Sequence, residues 1–315
     1  MLTIEDIRGG KPFEIVPKID VPDLGRGVLS VDRFGEFVKA VRDSAVIIPE
    51  ARIDNALKSY EKDISRLSLV LDVGPGRDET GQKLAPPEST AEVKTNTLYM
   101  REMVTKVVIH EDAIEDNIEG KAFEQKIVTL LGEGISYVLE KYYLHGDTSS
   151  SDPLLRMSDG WLKLASEKLT ESDVDPEAED WPMNLFDTMI ESLPTPYRNN
   201  LPNMKFYVTW DIYRAYRDAL KGRETGLGDQ ALTGANSILY DGRPVQYVPA
   251  LEALNDGKSR ALFVVPTQLV YGFWRNIKVV PDYDAEMRLT KYVASLRTDN
   301  HYEDEEGAVS ATITV

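Results

Sequence analysis

Lys121-Ala-Phe-Glu-Gln-Lys-Ile-Val-Thr-Leu-Leu-Gly-Glu-Gly-Ile-Ser-Tyr-Val-Leu-Glu-Lys-Tyr-Tyr-Leu144 is the stretch on which the reading of this chain turns. Its apolar residues Phe123, Ile127, Leu131, Ile135, Val138 and Tyr142 step by four or three, which places them in one stripe along a helix. At 1.5 Å per residue the helix is ~36 Å long, against a radius of gyration near ~20 Å for a compact chain of this size. One helix therefore crosses most of the body. Gly132 and Gly134 weaken it by ~1 kcal/mol each relative to alanine, and we read them as marks of close packing. The helix is expected to stop at His145-Gly146-Asp147, glycine being the usual residue just past a helix. Upstream, Asp112-Ala-Ile-Glu115 has the pattern of a capping box and predicts a short helix.

Before the helix, Ile64 to Val73 (ISRLSLVLDV) alternates apolar and polar residues and predicts a strand, and Leu98 to Ile109 (LYMREMVTKVVI) predicts a second. Between them lie Gly74-Pro-Gly76, Arg77-Asp-Glu-Thr80, Gly81 and Pro86-Pro87, with almost nothing to bury. That span predicts a long hairpin or loop projecting from the body, and loops of this kind usually carry function. Gly76-x4-Gly81-Gln82-Lys83 approaches a phosphate-binding loop. Its lysine comes one place late, Leu84 stands where Ser or Thr should follow, and no helix pattern begins there, so it is set aside. In the first forty-odd residues Gly9-Gly10, Pro12, Pro17, Pro22, Gly25 and Gly27 punctuate short apolar pieces such as Phe13-Glu-Ile-Val16. This predicts an extended arm held against another surface, such as a neighbouring chain, rather than a domain.

After Gly146 the elements shorten. Asn184 to Leu193 predicts an amphipathic helix stopped by Pro194, Met204 to Thr209 a strand, and Asp211 to Lys221 a helix. A glycine-punctuated loop follows from Gly222 to Gly234. Tyr240-Asp-Gly-Arg-Pro-Val245 predicts a turn leading into a strand, and Ala261 to Val265 (ALFVV) a buried strand. Residues 160–266 thus form one α+β unit, and strands return from Leu269. The last of them alternates Val309, Ala311, Ile313 and Val315 with Ser310, Thr312 and Thr314 in a period of two.

The chain has 315 residues, with 36 Lys and Arg against 53 Asp and Glu, so its formal charge is 36 − 53 = −17. That length suggests about two domains on the ~150-residue prior, and 42% hydrophobic residues suffice for a core. Cysteine is absent, which removes disulfides, thiol nucleophiles, iron–sulfur ligation and thiolate zinc sites. Only His110, His145 and His301 remain, too scattered for a multi-histidine metal centre. The opening Met1-Leu-Thr-Ile-Glu-Asp6 carries acids where a signal peptide carries lysine or arginine. No run reaches ~18 uninterrupted apolar residues. The expectation is a soluble, acidic protein of a reducing compartment, with no membrane and no cofactor. The acid excess argues against holding nucleic acid by neutralising phosphates.

No catalytic signature stands out. Glu171, Asp173, Asp175, Glu177, Glu179 and Asp180 are the densest charge cluster, but their spacing fits no calcium loop and reads as a solvated surface. Glu303-Asp-Glu-Glu306 reads the same way. His110 lacks an adjacent nucleophile or orienting motif and reads as a capping or packing residue. G-x-S-x-G, H-E-x-x-H and the dinucleotide fingerprint are absent. Tyr207, Trp210, Tyr213 and Tyr216 sit at strand and helix spacing and are assigned to core or interface.

The order of parts is an extended arm, a projecting hairpin, one long helix, an α+β unit and a return to strands. In this order the chain resembles the major capsid proteins of tailed bacteriophages, the fold named after phage Hong Kong 97. The matching segments are Val107-Val-Ile-His-Glu-Asp-Ala-Ile-Glu115 leading into the helix, the exit Tyr143-Leu-His-Gly-Asp147, the turn Ser158-Asp-Gly-Trp161, then Asp241-Gly-Arg-Pro-Val245 and Glu306-Gly-Ala-Val309. The resemblance implies an N-terminal arm at 1–45 and an extended-loop region with flanking strands at 46–110. It implies a peripheral domain with the spine helix at 111–159 and 267–315, and an axial domain at 160–266. It also implies a shell of hexamers and pentamers enclosing double-stranded DNA without sequence-specific binding, located in the virion after assembly in the host cytoplasm. Arg77, Asp78, Glu79, Lys83 and Lys94 of the extended loop would meet a neighbouring subunit, and Lys83 or Lys94 could serve in the loop crosslink that some relatives make. The family often carries a fused scaffolding segment. The arm here is short, so a separate scaffolding protein is expected, with a portal and a decoration protein as further partners. Two other readings stay open: an encapsulin-like nanocompartment shell of the same fold, and a carboxylate-dependent hydrolase with a mobile lid loop.

Overall fold

In the computed structural model, the described residues are 45–54, 60–70, 73–77, 79, 80, 82, 83, 85, 90–110, 121–178, 180–221, 238–274 and 278–314. Residues 1–44 of the arm predicted at 1–45, the short helix at 112–115 and the 222–234 loop lie outside them.

The long helix, α1, spans Lys121–His145. Ile135, Leu139, Tyr142 and Tyr143 are buried along it, a spacing of four, three and one that keeps them on one face. Val138, expected in that stripe, is instead 40% exposed beside Tyr137, because Leu139 occupies the inward position one residue on. Gly134 faces open space rather than a close neighbour. The helix ends on a backbone crossing. The amide of Gly160 donates to the carbonyl of Gly146 at 2.8 Å, and a Cβ on Gly160 would stand 2.6 Å from Leu144 O and from Gly146 N. Both turns singled out in the sequence, 143–147 and 158–161, are thus halves of one contact that admits no side chain. Beside it His145 is buried, its Nε2 2.8 Å from the carbonyl oxygen of Ala250. Burial drives its pKa down to about 4, so the ring is neutral and donates to that carbonyl.

α1 packs on a five-stranded sheet whose centre is β12 (Leu289–Tyr302). On one side β12 pairs with β4 (Arg101–His110), antiparallel along the whole of β4. On the other side it pairs with β11 (Lys278–Asp284) and then with β10 (Leu269–Phe273), and β1 (Arg52–Asp54) lies parallel to β10. Ala294, Leu296 and Thr298 alternate inward along β12 to meet Tyr143, Trp161 and Tyr271. Trp161 opens the short helix α2 (Trp161–Leu164). It is fixed at both ends, its indole N–H donating to His301 O at 3.1 Å and its carbonyl accepting the Tyr302 hydroxyl at 2.7 Å.

The second sheet is mixed and six-stranded, in the order β5 (Glu167–Leu169), β13 (Val309–Thr314), β9 (Lys258–Val264), β6 (Lys205–Val208), β8 (Arg243–Tyr247), β7 (Ile238–Tyr240). The all-apolar run predicted for β9 has a simple cause: both its faces are buried. Ala261 and Phe263 join the core under α3 (Met183–Glu191) and α4 (Trp210–Lys221), while Leu262 and Val264 join the α1 core. β7 and β8 are joined by Asp241-Gly242, with φ of 46° and 77°, the turn geometry that suits a tight hairpin.

One expectation is corrected here. Residues 267–315 do not all return to the sheet beside α1. The final strand, β13, lies between β5 and β9 in the six-stranded sheet, with Val309, Ala311 and Ile313 in its core. Period-two alternation fixes which residues point inward but carries no information about which sheet receives them.

Candidate assembly surface

The expected second strand over 98–109 is two strands. β3 (Thr90–Tyr99) pairs antiparallel with β2 (Glu61–Val70), whereas β4 pairs with β12, so the chain changes sheets at Met100. Met100 is buried there, its amide donating to Tyr60 O at 3.0 Å. β3 reads Thr-Ala-Glu-Val-Lys-Thr-Asn-Thr-Leu-Tyr, mostly polar, which is why the sequence shows a loop in its place.

Among its described side chains the β2–β3 ribbon has little core. Ile64, Leu98 and Met100 at its base pack against Val270 and Trp274, while Val93 is exposed. A lone two-stranded ribbon is marginal in water, so polar contacts at its base must fix its direction. They come from Asp304, Glu305 and Glu306. Asp304, 3% exposed, accepts the Tyr197 hydroxyl at 2.5 Å and pairs with Arg66 of β2. The Arg66 guanidinium also lies 5.8 Å from the Tyr197 ring centroid. Asn96 of β3 donates to Glu305 at 2.8 Å and to Tyr302 O at 2.9 Å. Lys94 pairs with Glu306, whose other oxygen lies 3.1 Å from the Tyr197 hydroxyl. The Lys94 contact and then Tyr197 hold the Glu306 carboxyl below its ordinary pKa, while burial, then Glu306, raises that of Tyr197. Asp299 completes the base by accepting the Tyr99 amide at 2.8 Å.

The expected solvated surface at 303–306 is therefore a clamp. Its partners on β2, β3 and Tyr197 lie from 107 to 304 − 66 = 238 positions away along the chain, so no local pattern could have announced Arg66, Asn96, Tyr197 or Asp304. In the other acidic cluster Asp173 and Asp175 serve local turns, accepting the Thr170 amide at 2.8 Å and the Glu177 amide at 2.9 Å, while Glu171 accepts the amide of Thr314 on the final strand at 3.1 Å.

Of the residues assigned to the loop, Arg77 and Lys83 form an isolated antiparallel bridge toward the far end of the ribbon, and Glu79 is exposed between them. The next described element after the glycines there is strand β3, and no helix occurs among the described residues between, so the resemblance to a phosphate loop ends at spelling. Lys94 sits at the base, occupied by Glu306, and Asp78 lies outside the described residues. Among the described residues no three His, Asp or Glu gather to hold a metal ion, and no helix is long and apolar enough to cross a membrane. Tyr207 and Tyr216 are buried in the cores, while Trp210, 5.9 Å from Tyr213 and 5.3 Å from Tyr247 between ring centroids, is partly exposed.

A long helix on a sheet centred on one long strand, a second sheet with its own core and a two-stranded ribbon make up a mixed helix-and-sheet fold that matches those of phage capsid proteins. Over 300 residues the chain is 27% identical to the provisionally named prophage capsid protein YqbE of Bacillus subtilis (strain 168), covering 92% of this chain and 93% of that one. Among solved structures it is similar to a chain of the satellite phage P4 procapsid, with a TM-score of 0.64 at 14% identity over 90% of this chain and 91% of that one. A chain from the capsid of an empty GTA particle gives 0.58 at 14% identity over 86% and 90%. One from Microbacterium phage Oxtober96 gives 0.56 at 15% identity over 86% and 90%. No protein-family model matches the chain.

Proposed function

We propose that this chain is the major capsid protein of a tailed phage, assembling as hexamers and pentamers into an icosahedral shell around double-stranded DNA. The observation that carries the reading is the β2–β3 ribbon, a hairpin of two ten-residue strands whose described side chains are mostly exposed, with Ile64 and Leu98 buried at the base, and which is aimed by ionic contacts there. Such an element gains a burying surface only from a neighbour, and a shell of heterologous contacts supplies one. The capsid name of its relative YqbE and the shared fold support the same conclusion. In this reading 46–110 is the extended-loop region, 111–159 with 267–302 the peripheral domain, and 160–266 with the last strand the axial domain. Residues 1–45 are the arm. Arg77, Asp78, Glu79 and Lys83 meet a neighbouring subunit, whereas Lys94 acts within its own chain. A scaffolding protein, a portal and a decoration protein are its partners, and assembly takes place in the host cytoplasm.

The role is structural, with no catalytic step. Among the described residues Glu50, Glu140, Asp304 and Glu306 are engaged by backbone amides, lysines and tyrosines, which supports a structural part for these four carboxylates. Light scattering and electron microscopy of the purified full chain test this. Capsomer-sized rings or megadalton shells are expected. A 35.4 kDa monomer at every concentration would overturn it, and shells isolated from cells with protein cargo in place of DNA would favour the nanocompartment.

A further inference from the structure

Residues 45–54 touch three bodies at once. Ile47 and Ile48 are fully buried in the α1 core, and β1 adds a parallel strand to β10 of the five-stranded sheet. Glu50 reaches the six-stranded sheet, accepting from Lys205 at 2.7 Å and from the Tyr207 hydroxyl. Glu140 of α1 comes from the other side. Its Oε1 accepts the backbone amides of Val46 at 3.0 Å and Ile47 at 2.5 Å. Two carboxylates therefore fasten one strap, one to each side.

They are not equivalent. Glu50 has a cation in Lys205. Glu140 is buried and, among the described residues, makes no ion pair. The titratable groups around it are Glu50 on the strap and Lys205 and Tyr207 on β6, with Lys141 next to it on its own helix and the neutral His145 one turn on. Tyr207 stays protonated, its phenol pushed far up by burial, then Glu50, then Glu140. Nothing in this set neutralises the Glu140 carboxylate.

We propose that Glu140 makes the 45–54 strap a proton-dependent clasp between the two sheets, one that closes more firmly with a proton on the carboxyl than without it. Lifting residues 46–51 off α1 returns the carboxyl to water. Closing the strap removes that water and supplies backbone amides instead. Desolvation outweighs them, so burial raises the Glu140 pKa although the amides of Ile47, Val46 and Ile48 pull it down. The closed strap thus binds a proton more tightly than the open one, and by linkage closure strengthens as pH falls and weakens as pH rises through the raised value. This sign is opposite to the one that counting amide-to-carboxylate bonds alone would give.

The test is hydrogen exchange, read by mass spectrometry, on the purified full chain between pH 8 and 5, corrected for the intrinsic rate at each pH. Peptides covering 45–54 are compared with peptides from β9. Strap protection should rise toward pH 5 relative to β9, tenfold for each unit by which closure raises the proton affinity. Glu140→Gln should abolish the dependence, and Glu50→Gln should keep it. A strap whose relative protection is flat or falls on acidification overturns the proposal, as does a dependence that survives Glu140→Gln. If Glu140→Gln fails to fold by circular dichroism, the Glu50→Gln chain decides, because loss of the slope there would make Glu50 the titrating group.

Discussion

Replacing Asp304 by alanine should loosen the ribbon while leaving both cores folded. The carboxylate is buried and accepts the Tyr197 hydroxyl at 2.5 Å. A hydrogen bond to a charged group contributes about 1.5–3 kcal/mol. Arg66, 38% exposed, adds only about 0.2–1 kcal/mol through an ion pair that water already screens. Tyr197 can turn to Glu306, 3.1 Å away, so the loss falls near the lower end, about 2 kcal/mol. Among the described residues the rest of the base is Ile64, Leu98 and Met100 with the Asn96, Lys94 and Tyr99 contacts, so this loss should appear as local opening. Hydrogen exchange in peptides covering 61–66 and 93–99 should accelerate ~30-fold, at 1.36 kcal/mol per tenfold. Exchange in β9, which needs the cores to open, should change far less. Two results would refute the reasoning: ribbon exchange altered less than about twofold, or β9 slowed or accelerated by the same factor as the ribbon. The second would place Asp304 in the service of the core.

Gly160→Ala places a Cβ 2.6 Å from two backbone atoms, Leu144 O and Gly146 N, neither of which can swing aside. A loss of about 3 kcal/mol or more is expected in urea unfolding, and a loss below about 1 kcal/mol would show that the crossing relaxes. His145 carries a pH prediction of definite sign. Its folded pKa of about 4 lies below the ordinary histidine value of 6.5, so its contribution is complete above that ordinary value and is lost as pH falls through the folded one. The difference amounts to about 3 kcal/mol by pH 4. His145→Gln should flatten the wild-type fall in urea midpoint between pH 7 and 4, and an unchanged slope would mean other groups cause it.

The bodies of this fold were legible and its joints were not. The α1 periodicity, the all-apolar β9 and the alternation of β13 each register burial against something, and burial writes itself into local spacing. What they face is a separate matter: Val138 was placed in the stripe that Leu139 fills, and β13 was placed in the wrong sheet. β3 was invisible because an exposed strand has no inward face to make apolar. The clamp failed differently. Glu303-Asp-Glu-Glu306 has the composition of a solvated surface, and only the folded chain brings Arg66, Lys94 and Asn96 to it.

That contrast has a physical consequence for a subunit. The two cores meet through β9, whose faces are buried on both sides, and apolar contacts of that extent are non-directional and carry no charge for salt to screen or protons to titrate. The base of the ribbon is instead held by Asp304 and Glu306, and the 45–54 strap, besides its buried Ile47 and Ile48 and its pairing with β10, by Glu50 and Glu140, through ion pairs and charge-assisted bonds that are directional and respond to both. The elements that leave the body are thus fixed by interactions weak enough to re-form at another angle, while the body keeps its shape. A shell built from identical chains in rings of five and six needs this division. The same fold must meet neighbours in more than one geometry, so variation belongs at the joints. Salt should therefore move ribbon exchange well before it moves β9 exchange. A chain in which both shift together would place the ribbon within the cooperative core and remove the reason for assigning it to a neighbour.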